Sequence, residues 1–169
     1  MTMPPRLRKF VLTLHVATSV GWLGAVVAYI ALDITAVSSG EVHVSRAAYL
    51  MMNVTVWYAI VPLALASVVI GTVNALGTTW GLVRHYWVLA KLMLTIFATV
   101  ILLVETRTVC ALADVAASGA DPRQLPGSLP HSIGGMVLLL VILALSVYKP
   151  RGMTRYGWRR QQKTRVPAE

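Results

Sequence analysis

Charge is what this chain has least of. Charged residues make up 12% of its 169 positions and apolar ones 57%, too little polarity to wet the surface of a water-soluble domain of this size. Acids are scarcer still, six Asp and Glu beside fifteen Lys and Arg. The single cysteine, Cys110, excludes an internal disulfide framework and any multi-cysteine metal site. The sequence has no glycine-rich phosphate loop, no His-x-x-x-His pair, no paired carboxylates inside an apolar run and no nucleophile elbow. Known enzyme motifs are therefore missing, and the reading leans away from an enzyme.

What the chain has instead is long apolar runs. Phe10 to Leu32, Val54 to Leu76, Tyr86 to Val104 and Leu129 to Tyr148 each approach the roughly 20 residues that a helix needs to cross a bilayer. In lipid every backbone polar group needs an internal partner, so runs of this length predict helices. The expected fold is all-α, a four-helix integral membrane bundle spanning residues 1–148, with residues 149–169 as a basic tail. The first run is preceded by Arg6, Arg8 and Lys9 like a secretory signal, but it is longer than a signal core and carries His15, Thr18 and Ser19 inside it. It reads as a retained helix.

Basic residues gather on the amino-terminal flank, on the second connection (Arg84, with Lys91 close behind) and in the tail from Lys149 to Arg165. The other connections hold Arg46, Arg107 and Arg123, with Asp33, Glu41, Glu105, Asp114 and Asp121. The positive-inside rule then places both termini in the cytoplasm. Trp80, Tyr86, Trp87, Tyr148, Tyr156 and Trp158 suit the inner headgroup level, and Tyr29, Trp57 and Tyr58 the outer one. Because the tail abuts the membrane, its expected partner is anionic lipid headgroups and not nucleic acid. Thr106 to Ser118 is alanine-rich and could prolong the third helix until Gly119-Ala120-Asp121-Pro122 stops it.

Polar residues inside membrane helices are costly and face the bundle. In the first helix His15, Thr18, Trp22, Ala25 and Tyr29 recur at spacings of three and four, placing an imidazole on an interior stripe. His15 is the leading functional candidate, since neutral imidazole ligates haem iron or copper; its competing reading is a bond to a neighbouring helix. His85 opens the third helix in the same leaflet, while His131, beside Gly134 and Gly135, opens the fourth on the outer side, where His43 could approach it. His85 and His131 are therefore candidate partners for cofactor binding. Ser67, Gly71 and Asn74 share a face of the second helix, Pro62 frees a carbonyl there, and Gly21 to Gly24 offers a close-packing surface. Lys91 can snorkel, and Glu105 with Arg107 marks the outer boundary.

The runs LHVATSVGWLGA at 14–25, GLVRHYWVLAKL at 81–92 and SVYKPRGMTRYGW at 146–158 resemble a family of uncharacterised bacterial four-helix integral membrane proteins, over nearly the whole chain. The first helix is also distantly similar to the copper-resistance D membrane domain and, more loosely, to helical b-type cytochromes. These resemblances imply a bacterial plasma membrane location and raise haem b or copper at His15. Three functions follow as expectations: a haem- or metal-binding redox accessory, a non-catalytic assembly protein that pairs with itself or a membrane partner subunit, and a small dimeric transporter.

Overall fold

A computed structural model of the chain describes residues 3–77, 85–148, 150, 152, 154 and 158. Four helices, each long and apolar enough to cross a membrane, account for most of them: α1 (Pro5–Ser38), α2 (Val42–Gly77), α3 (Tyr86–Ala117) and α4 (Leu129–Tyr148). Among the described residues there is no strand. Trp80, Arg84, Tyr156 and the basic tail residues Lys149, Arg151, Arg155, Arg159, Arg160, Lys163 and Arg165 lie outside the described residues.

The helices run past the apolar stretches that announce them. Pro5 starts α1 at a position where a missing N–H costs nothing. The helix continues through Asp33 to Ser38, and a serine turn, in which Ser39 Oγ accepts the Glu41 N–H at 3.2 Å, reverses the chain. α2 begins immediately afterwards at Val42, twelve residues before its apolar run, on an amphipathic segment that buries Ser45, Ala48, Tyr49 and Met52. α3 extends through the alanine-rich segment and stops before Gly119, whose φ of +86° is left-handed backbone that glycine adopts without strain. Pro150 follows the end of α4.

Within α2, Val56–Ile60 forms one π turn, with the Val61 N–H donating to the Val56 carbonyl five residues back. Pro62 follows, and having no N–H it cannot serve the Tyr58 carbonyl. A π turn beside a proline is a local insertion of one residue into the helix.

α1 is the centre of the bundle. Its buried residues Val11, Thr18, Trp22, Val26, Tyr29, Asp33 and Ala36 recur at three and four along one stripe, and its longest packing partner is α2. Small residues (Ala36, Ala48, Ala64, Ala98, Ala113) bring the backbones close, and Ser45 Oγ donates to the Ala36 carbonyl at 2.6 Å across the tight connection. Gly21 meets Leu63 of α2, whereas Gly24 faces open space, so only half of the Gly21–Gly24 surface packs. The outward faces, with Phe10, Val27, Phe97, Val104, Val137 and Val147, are exposed and apolar, as suits a lipid solvent.

The bundle has two distinguishable ends. At the terminal end the Met3 N–H donates to the Gly77 carbonyl at 3.1 Å. At the loop end the connections 39–41 and 118–128 meet: Arg46 Nε donates to the Ala120 carbonyl at 2.9 Å and Arg123 Nη1 to the Ser39 carbonyl at 3.1 Å. Arg123 also pairs with Asp121 at 2.8 Å. The Arg123 side chain and then its backbone N–H, both donating to Asp121, hold that carboxyl below its ordinary value. A depressed carboxyl stabilises the fold above its unfolded pKa, about 3.9, and that stabilisation fades as pH falls through the lower folded value. Limited proteolysis should accordingly cut the 118–128 connection faster at pH 3 than at pH 7, and Arg123→Ala, which keeps the backbone donor but not the side chain, should reduce the difference. Equal cutting at both pH values in the unmodified protein would contradict this.

Candidate functional site

The interior stripe of α1 presents polar groups at both ends of the bundle, and each end surrounds a cavity. At the terminal end a chamber of about 480 Å³ is bounded by Arg8, His15, Ser19, Asn74, Trp87, Lys91 and Ser146 with apolar neighbours. All four helices contribute.

His15 is held by shape. A Cβ built on Gly71 of α2 would lie 2.8 Å from His15 Cε1, 3.3 Å from Nδ1 and 3.4 Å from Nε2, so the missing side chain is the space in which the imidazole edge sits. His15 Nδ1 is buried with no hydrogen-bond partner, and the His15 side chain lines the chamber. About one turn further along, Ser19 Oγ and Ser67 Oγ meet at 2.9 Å and clamp α1 to α2. Ser67 and Gly71 thus share the face expected of them. Lys91, read from sequence as a snorkelling residue, is half-buried instead and lines this chamber and two smaller cavities next to it.

Sequence-based pairing of His15 with another histidine does not carry over to the cavities. His85 caps the start of α3, with its ring centroid 6.5 Å from that of Trp87, and it is not among the described residues lining the chamber. His131 is at the opposite end of the bundle, its Nε2 3.3 Å from Glu105 Oε1. His43 pairs with Glu41 at 3.1 Å on the surface and not with His131.

The loop end holds a cluster that sequence reasoning missed. Tyr29 Oη donates to Ser128 Oγ at 3.0 Å, and Ser128 Oγ donates to Asp33 Oδ2 at 2.9 Å. Ser132 Oγ reaches the same carboxylate oxygen at 3.0 Å, sharing its proton with the Leu129 carbonyl. Asp33 is completely buried. Its Oδ1 has no partner, and neither has Glu105 Oε2. Tyr29, Glu105, Thr106, Ser128, His131 and Ser132 line a second cavity of about 80 Å³ whose remaining walls are apolar, Trp22, Ile60 and Leu139 among them.

Two expectations are corrected here. Tyr29 is not a headgroup anchor, because its ring is buried and its hydroxyl is bonded to Ser128. Asp33 does not belong to a connection; it is an interior residue of α1. The sequence carried a signal for it, since Asp33 is eighteen residues, five helical turns, beyond His15 and so falls on the same stripe.

Among the described residues no three His, Cys, Asp or Glu side chains come together as a metal site. Cys110 Sγ is 3.7 Å from Asn53 Oδ1, a packing contact between α3 and α2. No protein-family model, curated protein or solved structure matches this chain.

Proposed function

We propose that this chain is a haem b-binding membrane protein, a redox accessory, that holds the cofactor in the terminal-end chamber through His15. One observation carries the reading: a glycine-seated imidazole faces a chamber that also presents two cations, Arg8 and Lys91. The chamber volume falls among small-molecule sites, roughly 300–1,000 Å³. The residues present fit the group. His15 offers Nε2 to the iron, the Trp87 ring offers a flat apolar wall, and Arg8 and Lys91 suit the two propionate carboxylates. Haem, when bound, would supply one-electron chemistry; His15, seated against Gly71, would hold it, with Arg8 and Lys91 beside its carboxylates. Copper is the weaker alternative, as no donor cluster forms among the described residues. His85 and His131 are set aside as ligands of this site. The basic flanks support a cytoplasmic terminal end, in a bacterial plasma membrane.

The test is the visible spectrum of the detergent-purified protein, expressed with haem supplied, oxidised and then reduced with dithionite. A Soret band with sharp reduced α and β bands that His15→Ala removes is the expected result. A featureless spectrum from the unmodified protein would overturn the reading.

A further inference from the structure

The two cavity systems are nearly continuous. Three terminal-end cavities meet at Lys91, and one of them runs from Ser19 and Lys91 past Ser67 and Thr95 to Trp22 and Leu139. Trp22 and Leu139 are also walls of the loop-end cavity that holds Glu105 and His131. Two side chains, one from α1 and one from α4, therefore form the shared wall between a polar interior at one end and a polar interior at the other. Lys91 and Glu105, both on α3, bracket that wall about 21 Å apart by helix rise.

Structural glue explains part of this arrangement. Asp33 ties α4 to α1 through Ser128 and Ser132, and the hydroxyls of Thr95 and Thr99 bond their own helix. It does not explain Glu105 Oε2, a buried carboxylate oxygen beside a cavity with no partner, or Lys91, which makes no ion pair among the described residues. Ionisable groups placed this way inside membrane helices mark proton and ion routes.

We propose that the bundle conducts protons between Glu105 and Lys91 across the Trp22–Leu139 wall. A proton enters from the loop end through His131 and Glu105, crosses by water held against the polar groups of the loop-end cavity, Glu105, Ser128, His131 and Ser132, and is taken up by Lys91 once its ammonium has released a proton into the terminal-end chamber. It leaves through the terminal-end chamber. No bond other than O–H and N–H is made or broken, nothing is oxidised, and charge is balanced by a counter-ion moving elsewhere in the membrane. Protons suit the route better than metal cations, because no ligand cluster among the described residues would replace a cation's hydration shell.

The test uses the full chain, purified without added haem, in liposomes loaded with a pH-sensitive dye and driven by a potassium gradient with valinomycin. The expected result is dye acidification faster than in empty liposomes, with Glu105→Gln at the empty-liposome rate. Trp22→Ala should raise the rate about tenfold, the factor that lowering a barrier by about 1.4 kcal/mol produces. Leu139→Trp, which fills the gap in the opposite sense, should slow it, and it keeps the idea testable if Trp22→Ala does not fold. Unmodified protein no faster than empty liposomes, Glu105→Gln as fast as the unmodified protein, or an equal leak of sodium would each overturn the proposal. The assay is independent of the haem reading: flux with a featureless spectrum removes haem and leaves the route, and a Soret band without flux does the reverse.

Discussion

Asp33→Ala is expected to destabilise the protein by roughly 2–4 kcal/mol, the cost of leaving buried hydrogen-bonding groups without partners. Asp33 Oδ2 is where the chain of hydroxyls from Tyr29 through Ser128, and from Ser132, terminates. Without it, the buried Ser128 hydroxyl loses its acceptor and the half-buried Ser132 hydroxyl keeps only the Leu129 carbonyl. The loss falls on α4, which buries only Leu139 and Ile142 among its apolar residues and so depends on its first turn for attachment. Ser128 and Ser132 lie at the amino-terminal end of α4, where a carboxylate is also favoured by the helix dipole. Asp33→Asn keeps one acceptor oxygen and should cost less than half as much. Thermal unfolding in detergent, followed by helical circular dichroism, measures both variants. An Asp33→Ala protein as stable as the unmodified one would show that α4 is held some other way.

Gly71→Ala should do the opposite, disturbing the site far more than the fold. The three atoms nearest the new Cβ all belong to the His15 ring, and the ring has a chamber of about 480 Å³ into which it can turn. Alanine also gains about 1 kcal/mol of helix propensity over glycine, which offsets a strain of about 1–3 kcal/mol from overpacking. The melting temperature should therefore move little. The His15 ring, however, leaves its seat, so haem retention should fall at least about tenfold, a change of about 1.4 kcal/mol in binding. The His15 Hε1 resonance should shift even without haem. An unchanged resonance and unchanged haem content would mean that Gly71 does not position the ring.

The four helices were legible in the sequence because bilayer thickness sets a minimum length that apolar runs either reach or do not. Their ends were less so. Val42 to Asn53 is amphipathic, half polar and half buried, and hydropathy alone reads such a segment as a connection, whereas the alanine-rich stretch after Glu105 reads as a continuation of the third helix and is one. Asp33 was misplaced because it was assigned by its charge, when helical phase put it inside; Tyr29 had two readings, an interior one by phase and a headgroup one by aromatic character, and the phase held. His15 was found because an imidazole in an apolar run stands out. Its seat was legible only as a small-residue face at Ser67, Gly71 and Asn74, since a sequence does not say which neighbour fills the gap beside a glycine. Lys91 was read by depth as a snorkelling residue, and depth cannot tell a side chain turned outward from one turned into the bundle.

The π turn at Val56–Ile60 acts as a phase corrector. At 3.6 residues per turn one added residue rotates everything after it by about 100°. In an unbroken α-helix the stripe from Ser45 through Met52 to Val56 would drift off the bundle before reaching Ala64, Ser67 and Gly71. The wider turn swings those residues back toward α1, so the serine clamp and the imidazole seat both depend on a misfit half a helix away. A single-residue deletion between Val56 and Ile60 would make α2 a continuous α-helix with its glycine still in phase with His15, whereas closing the π turn with every residue retained would rotate that glycine away by about 100°.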